Sequence, residues 1–291
     1  MYHDLTYNNT YQSVDTIIDQ VNTLIASNDF YGYAVGGGGN ILKLGYDYCE
    51  QLIAELERII PSNKTLTLMT NINNSDDVVF LEKLATNHRV RFNISINFER
   101  PNNERTIELI KSFSASTRSK IRISVVVLNS IIQLGPQKLL SLIDQLGVEA
   151  LLINQFEQTS MTKINSYPTD YQYFYFLKQC IEQWQSNDSY CFDLPQCHDL
   201  KLQCNLCGLV DVIIDPFSVK IATLDENRVK HLITVSDINQ VDKIIKASTR
   251  EIFDPKCMMC KRMGICEHKY TQHAIDDRVC MLIDQMTMLV Q

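Results

Sequence analysis

TLTLMTNINNSDDVVFLEKLATNHRVRFNISI, residues 65–96, decides the fold. It reads as a strand, Thr65 to Thr70, a helix, Asp76 to Thr86, and a second strand, Arg89 to Ile96. Two strands joined through a helix run parallel, because a parallel pair needs a crossover rather than a tight turn. The same alternation extends in both directions. Upstream, Gln12 to Ala26 places Val14, Ile17, Ile18, Val21, Leu24 and Ile25 at helical spacing. A short apolar strand, Phe30 to Val35, then ends in a run of glycines, and a helix from Leu44 to Ile60 is stopped by Pro61. Downstream come helix Glu104 to Phe113, strand Ile121 to Val127, helix Gln137 to Leu146, strand Glu149 to Asn154 and a last helix, Tyr171 to Gln185. Apolar strands alternating with helices specify an α/β fold with a parallel sheet covered by helices. The order is α(βα)₅: the pattern begins on a helix, so a full first strand is lacking. It stops near Ser186, which divides the chain into residues 1–186 and a second, cysteine-rich domain, 187–291.

Bulk properties narrow the function. The 291 residues are 45% hydrophobic and 21% charged, an ordinary globular composition. A net charge of −7 argues against nucleic-acid binding, since no basic stripe offsets it. The densest basic stretch, Lys256 to Arg262, lies among cysteines. No apolar run reaches the ~18 residues of a membrane span, and MYHDLTYNNTYQ has neither the basic nor the apolar region of a signal peptide. A cytoplasmic location is expected.

Cysteine placement is more informative. Ten cysteines in a reducing compartment are not expected to form disulfides. Cys49 and Cys180 stand alone on helices and read as small buried hydrophobes. The others crowd between Cys191 and Cys280. Cys257-x₂-Cys260-x₅-Cys266, with Cys280 following, has the knuckle that lets two thiolates reach one metal while loop amides face the sulfurs. Lys256, Lys261, Arg262, Glu267 and His268 make this segment too polar for core cysteines. Spacing alone leaves iron–sulfur and zinc both open. Cys191, Cys197, Cys204 and Cys207 form a second group, either a second metal site or packing residues. Paired carboxylates such as Asp76 and Asp77 read as helix-start charges.

These residues resemble the radical S-adenosylmethionine (radical SAM) enzymes with a C-terminal SPASM domain, which include peptide maturases and sulfatase-maturing enzymes. Gly36 to Leu42, GGGGNIL, stands where that family has GGGEPLL. Thr70 to Asn73, Asn93 to Glu99 and Leu146 to Ile153 resemble its later barrel landmarks. The resemblance implies a partial (βα)₆ TIM-like barrel followed by a small cysteine-rich domain. In the SPASM pattern, Cys207 takes the first position, Ser218 replaces the glycine and Thr223 the second cysteine. Cys257, Cys260 and Cys266 match the triplet, Tyr270 replaces the fourth cysteine, and Cys280 matches the last. The resemblance therefore implies a 4Fe-4S cluster on Cys257, Cys260, Cys266 and Cys280, with zinc as the alternative, and an inner site that has lost two ligands.

The departures from the family are as informative. No cysteine precedes Cys49, and His3, Tyr7 and Thr10 stand where the radical SAM cysteines would be. Gly39 replaces the glutamate that holds the amino group of S-adenosylmethionine. Gly36, Gly37 and Gly38 read as a vestigial cofactor turn, and S-adenosylmethionine is not expected to bind. The resulting expectation is a catalytically degenerate protein that works with a protein partner, a radical SAM maturase, or with a precursor peptide. The alternatives are an active redox or radical enzyme completed by a second chain, and a zinc-stabilised interaction protein.

Overall fold

The computed structural model describes residues 12–27, 32–36, 40–99, 103–155, 167–184, 190–193, 210–214, 219–224, 230–235, 278, 281–282 and 285–286. The first helix is α1 (Val14–Ser27), followed by β1 (Gly32–Val35), a 3-10 turn (Ile41–Leu44) and α2 (Tyr46–Ile59). Next come β2 (Thr65–Thr70), α3 (Ser75–Asn87), β3 (Arg91–Ile96), α4 (Asn103–Lys111) and α5 (Ala115–Arg118). The series continues with β4 (Ile121–Val127), α6 (Asn129–Leu134), α7 (Pro136–Leu146), β5 (Ala150–Gln155), α8 (Asp170–Trp184) and β6 (Cys191–Asp193). Strands β1 to β6 form one sheet in sequential order, and every neighbouring pair is parallel.

Sequential order has a geometric consequence. Parallel crossovers are right-handed, so connections that all step in the same direction put every helix on one face. This is the partial-barrel arrangement expected from the sequence. Two strands, β2 and β4, match their expected limits residue for residue. Besides the 3-10 turn, three elements of this series were not expected. α5 is a single turn capped by Ser114, whose hydroxyl accepts from the Thr117 amide at 3.3 Å. α6 is six residues long and ends at Gly135, where φ is +84°. The third, β6, pairs with β5 through Ala150–Cys191, Leu151–Phe192 and Leu152–Asp193. It adds Cys191 to Asp193, at the start of the cysteine-rich stretch of sequence, to the barrel sheet.

Three further strands, β7 (Val210–Ile214), β8 (Val219–Leu224) and β9 (Lys230–Val235), make a separate antiparallel sheet in that order. Thr223 lies on β8 opposite Val210 and His231. No helix among the described residues is long and apolar enough to cross a membrane.

Candidate functional site

The two faces of the sheet differ in chemistry. Side chains alternate along a strand. One set comprises Leu66 and Leu68, then Phe92, Ile94 and Ile96, then Ile121, Ile123, Val125 and Val127, then Leu151 and Ile153. All are buried and join the helices in a single core cluster. The alternate set faces the helix-free side: Thr67 and Met69 on β2, Asn93 and Ser95 on β3, Arg122, Ser124 and Val126 on β4, Leu152 and Asn154 on β5. Filled α/β barrels usually pack this side with branched aliphatic residues. Here polar residues predominate.

Register brings the polar residues together. Asn93 sits beside Met69 on one side and Arg122 on the other, and Ser95 sits beside Ser124. The Asn154 amide donates to the Ser124 hydroxyl at 2.7 Å. Asn93 is only 7% exposed, yet its side-chain oxygen has no hydrogen-bond partner among the described residues. Burying an amide oxygen without a donor costs about 1–3 kcal/mol, so such an atom marks a place where a donor belongs. Chemically, the surface offers a carbonyl acceptor, a guanidinium and two hydroxyls, a set suited to amides and carboxylates. Asn93 and Ser95 fall in the stretch Asn93 to Glu99 that resembles a family landmark, but neither they nor Arg122 stood out as site residues, since they look like ordinary strand polar residues. The usable signal was two polar residues in register on neighbouring apolar strands.

At the carboxyl end of the sheet the first glycine of the run has a structural explanation. Gly36 has φ +131°, and a Cβ there would lie 2.6 Å from the Met69 carbonyl oxygen and 2.9 Å from its Cβ. Glycine is required for β1 to approach β2 so closely. Asn40 then closes the turn with both ends of its side chain. Its Nδ2 donates to the Asn71 carbonyl at 2.9 Å, while its Oδ1 accepts from the Thr70 hydroxyl at 2.7 Å and the Leu42 amide at 3.1 Å. Nearby, Asp77 is 4% exposed and accepts from the Asn73 amide at 2.8 Å and the Tyr46 hydroxyl at 3.0 Å. Burial and then that bond push the Tyr46 hydroxyl up to about 12. Asp77 therefore holds the loop after β2 as well as serving the start of α3. Gly37, Gly38 and Gly39 lie outside the described residues.

The metal ligands expected from the sequence, Cys257, Cys260, Cys266 and Cys280, also lie outside them, as do Cys197, Cys204 and Cys207. Cys191 is placed by its backbone, on β6 opposite Ala150. Among the described residues no group of three His, Cys, Asp or Glu could hold a metal. Cys49 and Cys180 are buried, as expected of packing cysteines. The Cys49 thiol donates to the Ile41 carbonyl at 3.2 Å. Burial pushes it up to about 12 and moves Cys180 in the same direction, so both stay protonated at neutral pH.

No family model and no curated protein matches the sequence. Solved structures do. The chain superposes on anSMEcpe holding AdoMet and a Kp18Cys peptide with TM-score 0.62 at 14% identity, covering 100% of this chain and 91% of that one. It superposes on Streptococcus suis SuiB bound to S-adenosylmethionine with TM-score 0.60 at 16% identity, covering 91% of this chain and 67% of that one. The fold is the one shared by anSMEcpe and SuiB. At such identities the likeness concerns the path of the chain, and the chemistry has to be argued from this protein's own residues.

Proposed function

We propose that this chain is a radical SAM/SPASM-like protein without radical chemistry of its own, serving as a peptide-recognition or partner subunit in peptide or protein maturation. The observation that carries the reading is the polar, helix-free face of the sheet, with the buried acceptor of Asn93 beside Arg122. A peptide backbone supplies the matching group for the Asn93 oxygen, an N–H donor. In addition, the outer edge of β1 has no strand partner among the described residues. Edges of this kind take up extended peptides by strand addition.

Loss of radical chemistry follows from the residues. With no cysteine before Cys49 there are not three thiolates at the head of the barrel to chelate a cluster. Gly39 gives the amino end of S-adenosylmethionine no charge partner. Asn40, at the end of the glycine run, is engaged by Thr70 and Asn71.

The remaining metal chemistry belongs to the cysteine-rich domain. Cys257, Cys260, Cys266 and Cys280 are a soft, all-sulfur donor set of the kind that suits iron–sulfur clusters or zinc. Cys49 and Cys180, held as buried thiols, do not compete for metal. In this reading the four hold one 4Fe-4S cluster, which would supply structural cross-linking or electron relay, within a domain spanning 187–291.

The test pairs a negative with a positive. Reduced, anaerobically purified protein with S-adenosylmethionine should form no 5′-deoxyadenosine above background. The same protein should bind a precursor peptide, and Asn93→Leu or Arg122→Met should weaken that binding about tenfold or more while leaving the fold intact. Sustained 5′-deoxyadenosine formation by the isolated chain would overturn the reading.

A further inference from the structure

The helical layer carries a groove of its own, between α2 and α3, with a volume of about 340 Å³. On α3, Asp76, Val79, Phe80 and Lys83 recur at spacings of three and four, so they share one face. Tyr46, Asp47 and Glu50 of α2 complete the lining. The Tyr46 and Phe80 rings stack, with centroids 4.5 Å apart at 19°. The Tyr46 hydroxyl donates to the buried Asp77 at 3.0 Å, and Asp77 also accepts from the Asn73 amide at 2.8 Å. This aromatic wall is therefore fixed to the loop after β2 before anything binds. Beside it, Val79 stands 69% exposed.

The charge around this apolar floor is one-sided. Asp47, Glu50 and Asp76 bring three carboxylates to one ammonium, Lys83, which Glu50 holds at 2.6 Å. Asp47 and Asp76 are exposed and make no ion pair among the described residues. Two helix N-termini side by side would by themselves favour an anion. Asp47 and Asp76, in the first turns of α2 and α3, offset that field. Neither carboxylate needs a ligand to explain it. Together with an exposed apolar floor on a rigid wall, they specify what chemistry fits.

We propose that this groove docks a segment of a protein partner that presents an apolar side chain flanked by lysine or arginine. The apolar side chain covers Val79 and the Tyr46 ring, and the flanking cations lie against Asp47 and Asp76. Removing Val79 from water supplies affinity, and a wall that is already fixed loses little freedom on binding. The carboxylates select the partner and speed encounter, an effect that salt screens. An acidic segment would meet like charge, and a polar one would leave Val79 without apolar cover. The groove lies on the helical side of the sheet, whereas Asn93 lies on the helix-free side, so docking here is independent of peptide binding there.

The experiment uses the full-length protein and three fluorescein-labelled peptides, GKLLKG, GELLEG and GKSSKG, followed by fluorescence polarisation. GKLLKG should bind about tenfold or more tightly than either of the others. Its advantage over GELLEG should shrink as salt rises from about 50 mM to about 500 mM. Val79→Lys alters a side chain that is 69% exposed, so the fold is kept, and it should weaken GKLLKG binding about tenfold or more. Asp47→Asn combined with Asp76→Asn should remove most of the preference over GELLEG. Asn93→Leu should leave GKLLKG binding unchanged. Binding that survives Val79→Lys, or that falls with Asn93→Leu, would put the peptide elsewhere and overturn the assignment. No binding by wild type up to about 1 mM peptide would overturn it as well. If sedimentation shows a wild-type dimer that Val79→Lys makes monomeric, the groove is filled by a second copy, and the proposed partner is wrong.

Discussion

The two faces of one six-stranded sheet obey different rules. The helix-covered face is built from Leu, Ile, Val and Phe, with Phe92, Ile94, Ile121 and Ile123 at 0% exposure. The helix-free face, formed by intervening residues of the same strands, carries Thr67, Asn93, Ser95, Arg122, Ser124 and Asn154. Apolar burial stabilises by about 25 cal/mol per Å², whereas a buried amide oxygen without a donor does the opposite. The first face accounts for why the domain folds. The second carries the local cost of the Asn93 oxygen, which has no partner among the described residues.

This contrast can be broken most directly at neighbouring positions of β3. Phe92→Ala, on the covered face, should lower the unfolding free energy by about 3–5 kcal/mol, measured by chemical denaturation. A loss below about 1 kcal/mol there would mean the covered face is not the core. Gly36→Ala tests the seam where β1 meets β2. Its Cβ would meet the Met69 carbonyl at 2.6 Å in a backbone conformation that side chains rarely adopt. The expected cost is about 1–3 kcal/mol, with faster hydrogen exchange along β1. A neutral outcome would leave the first glycine of the run free for another role.

A smaller effect belongs to the helical layer. Burial of Glu82 on α3 raises its carboxyl, but bonds from the Thr117 hydroxyl and from the Ser114 amide and hydroxyl outweigh that, with help from Arg118. The net direction is downward from 4.5. A carboxyl lowered on folding contributes stability above its unfolded value and loses it as pH falls through the folded one. Wild type should therefore outdo Glu82→Gln by about 1 kcal/mol at pH 7, and the gap should close below about pH 4.5. A gap independent of pH would show that packing, not charge, is at work.

The smallest expected stability change sharpens the comparison from the other side. Asn93→Leu removes the oxygen that has no partner among the described residues and keeps the same branched heavy-atom skeleton. It should be neutral or stabilising by up to about 1 kcal/mol, while peptide binding suffers. A destabilisation matching that of Phe92→Ala would show that the two faces are equally structural.

Particular elements show what could be read from residues alone. Strands β2 and β4 were legible because their apolar runs have strand length and end at clear turns. α5 and α6, at four and six residues, are too short for a 3.6-residue period to show. Gly36 was legible as the end of the first strand. Its reason, the approach of Gly36 to Met69, depends on two residues 33 positions apart in sequence.

By itself the sequence determined the alternation of helix and strand, the parallel sheet, the crowding of cysteines after residue 190 and the absence of cysteines before Cys49. All of these are local patterns, set by spacing and composition. Tertiary structure alone decided that Cys191 to Asp193 joins the barrel sheet, since three residues make a strand only when an edge such as β5 supplies the hydrogen bonds. It alone brought Asn93 beside Arg122 and Arg278 over Tyr171. Contacts between residues 29 and 107 positions apart leave no period in a sequence. They exist because parallel strands lock in register and because a helix offers one face to the core and another to whatever chain returns to it.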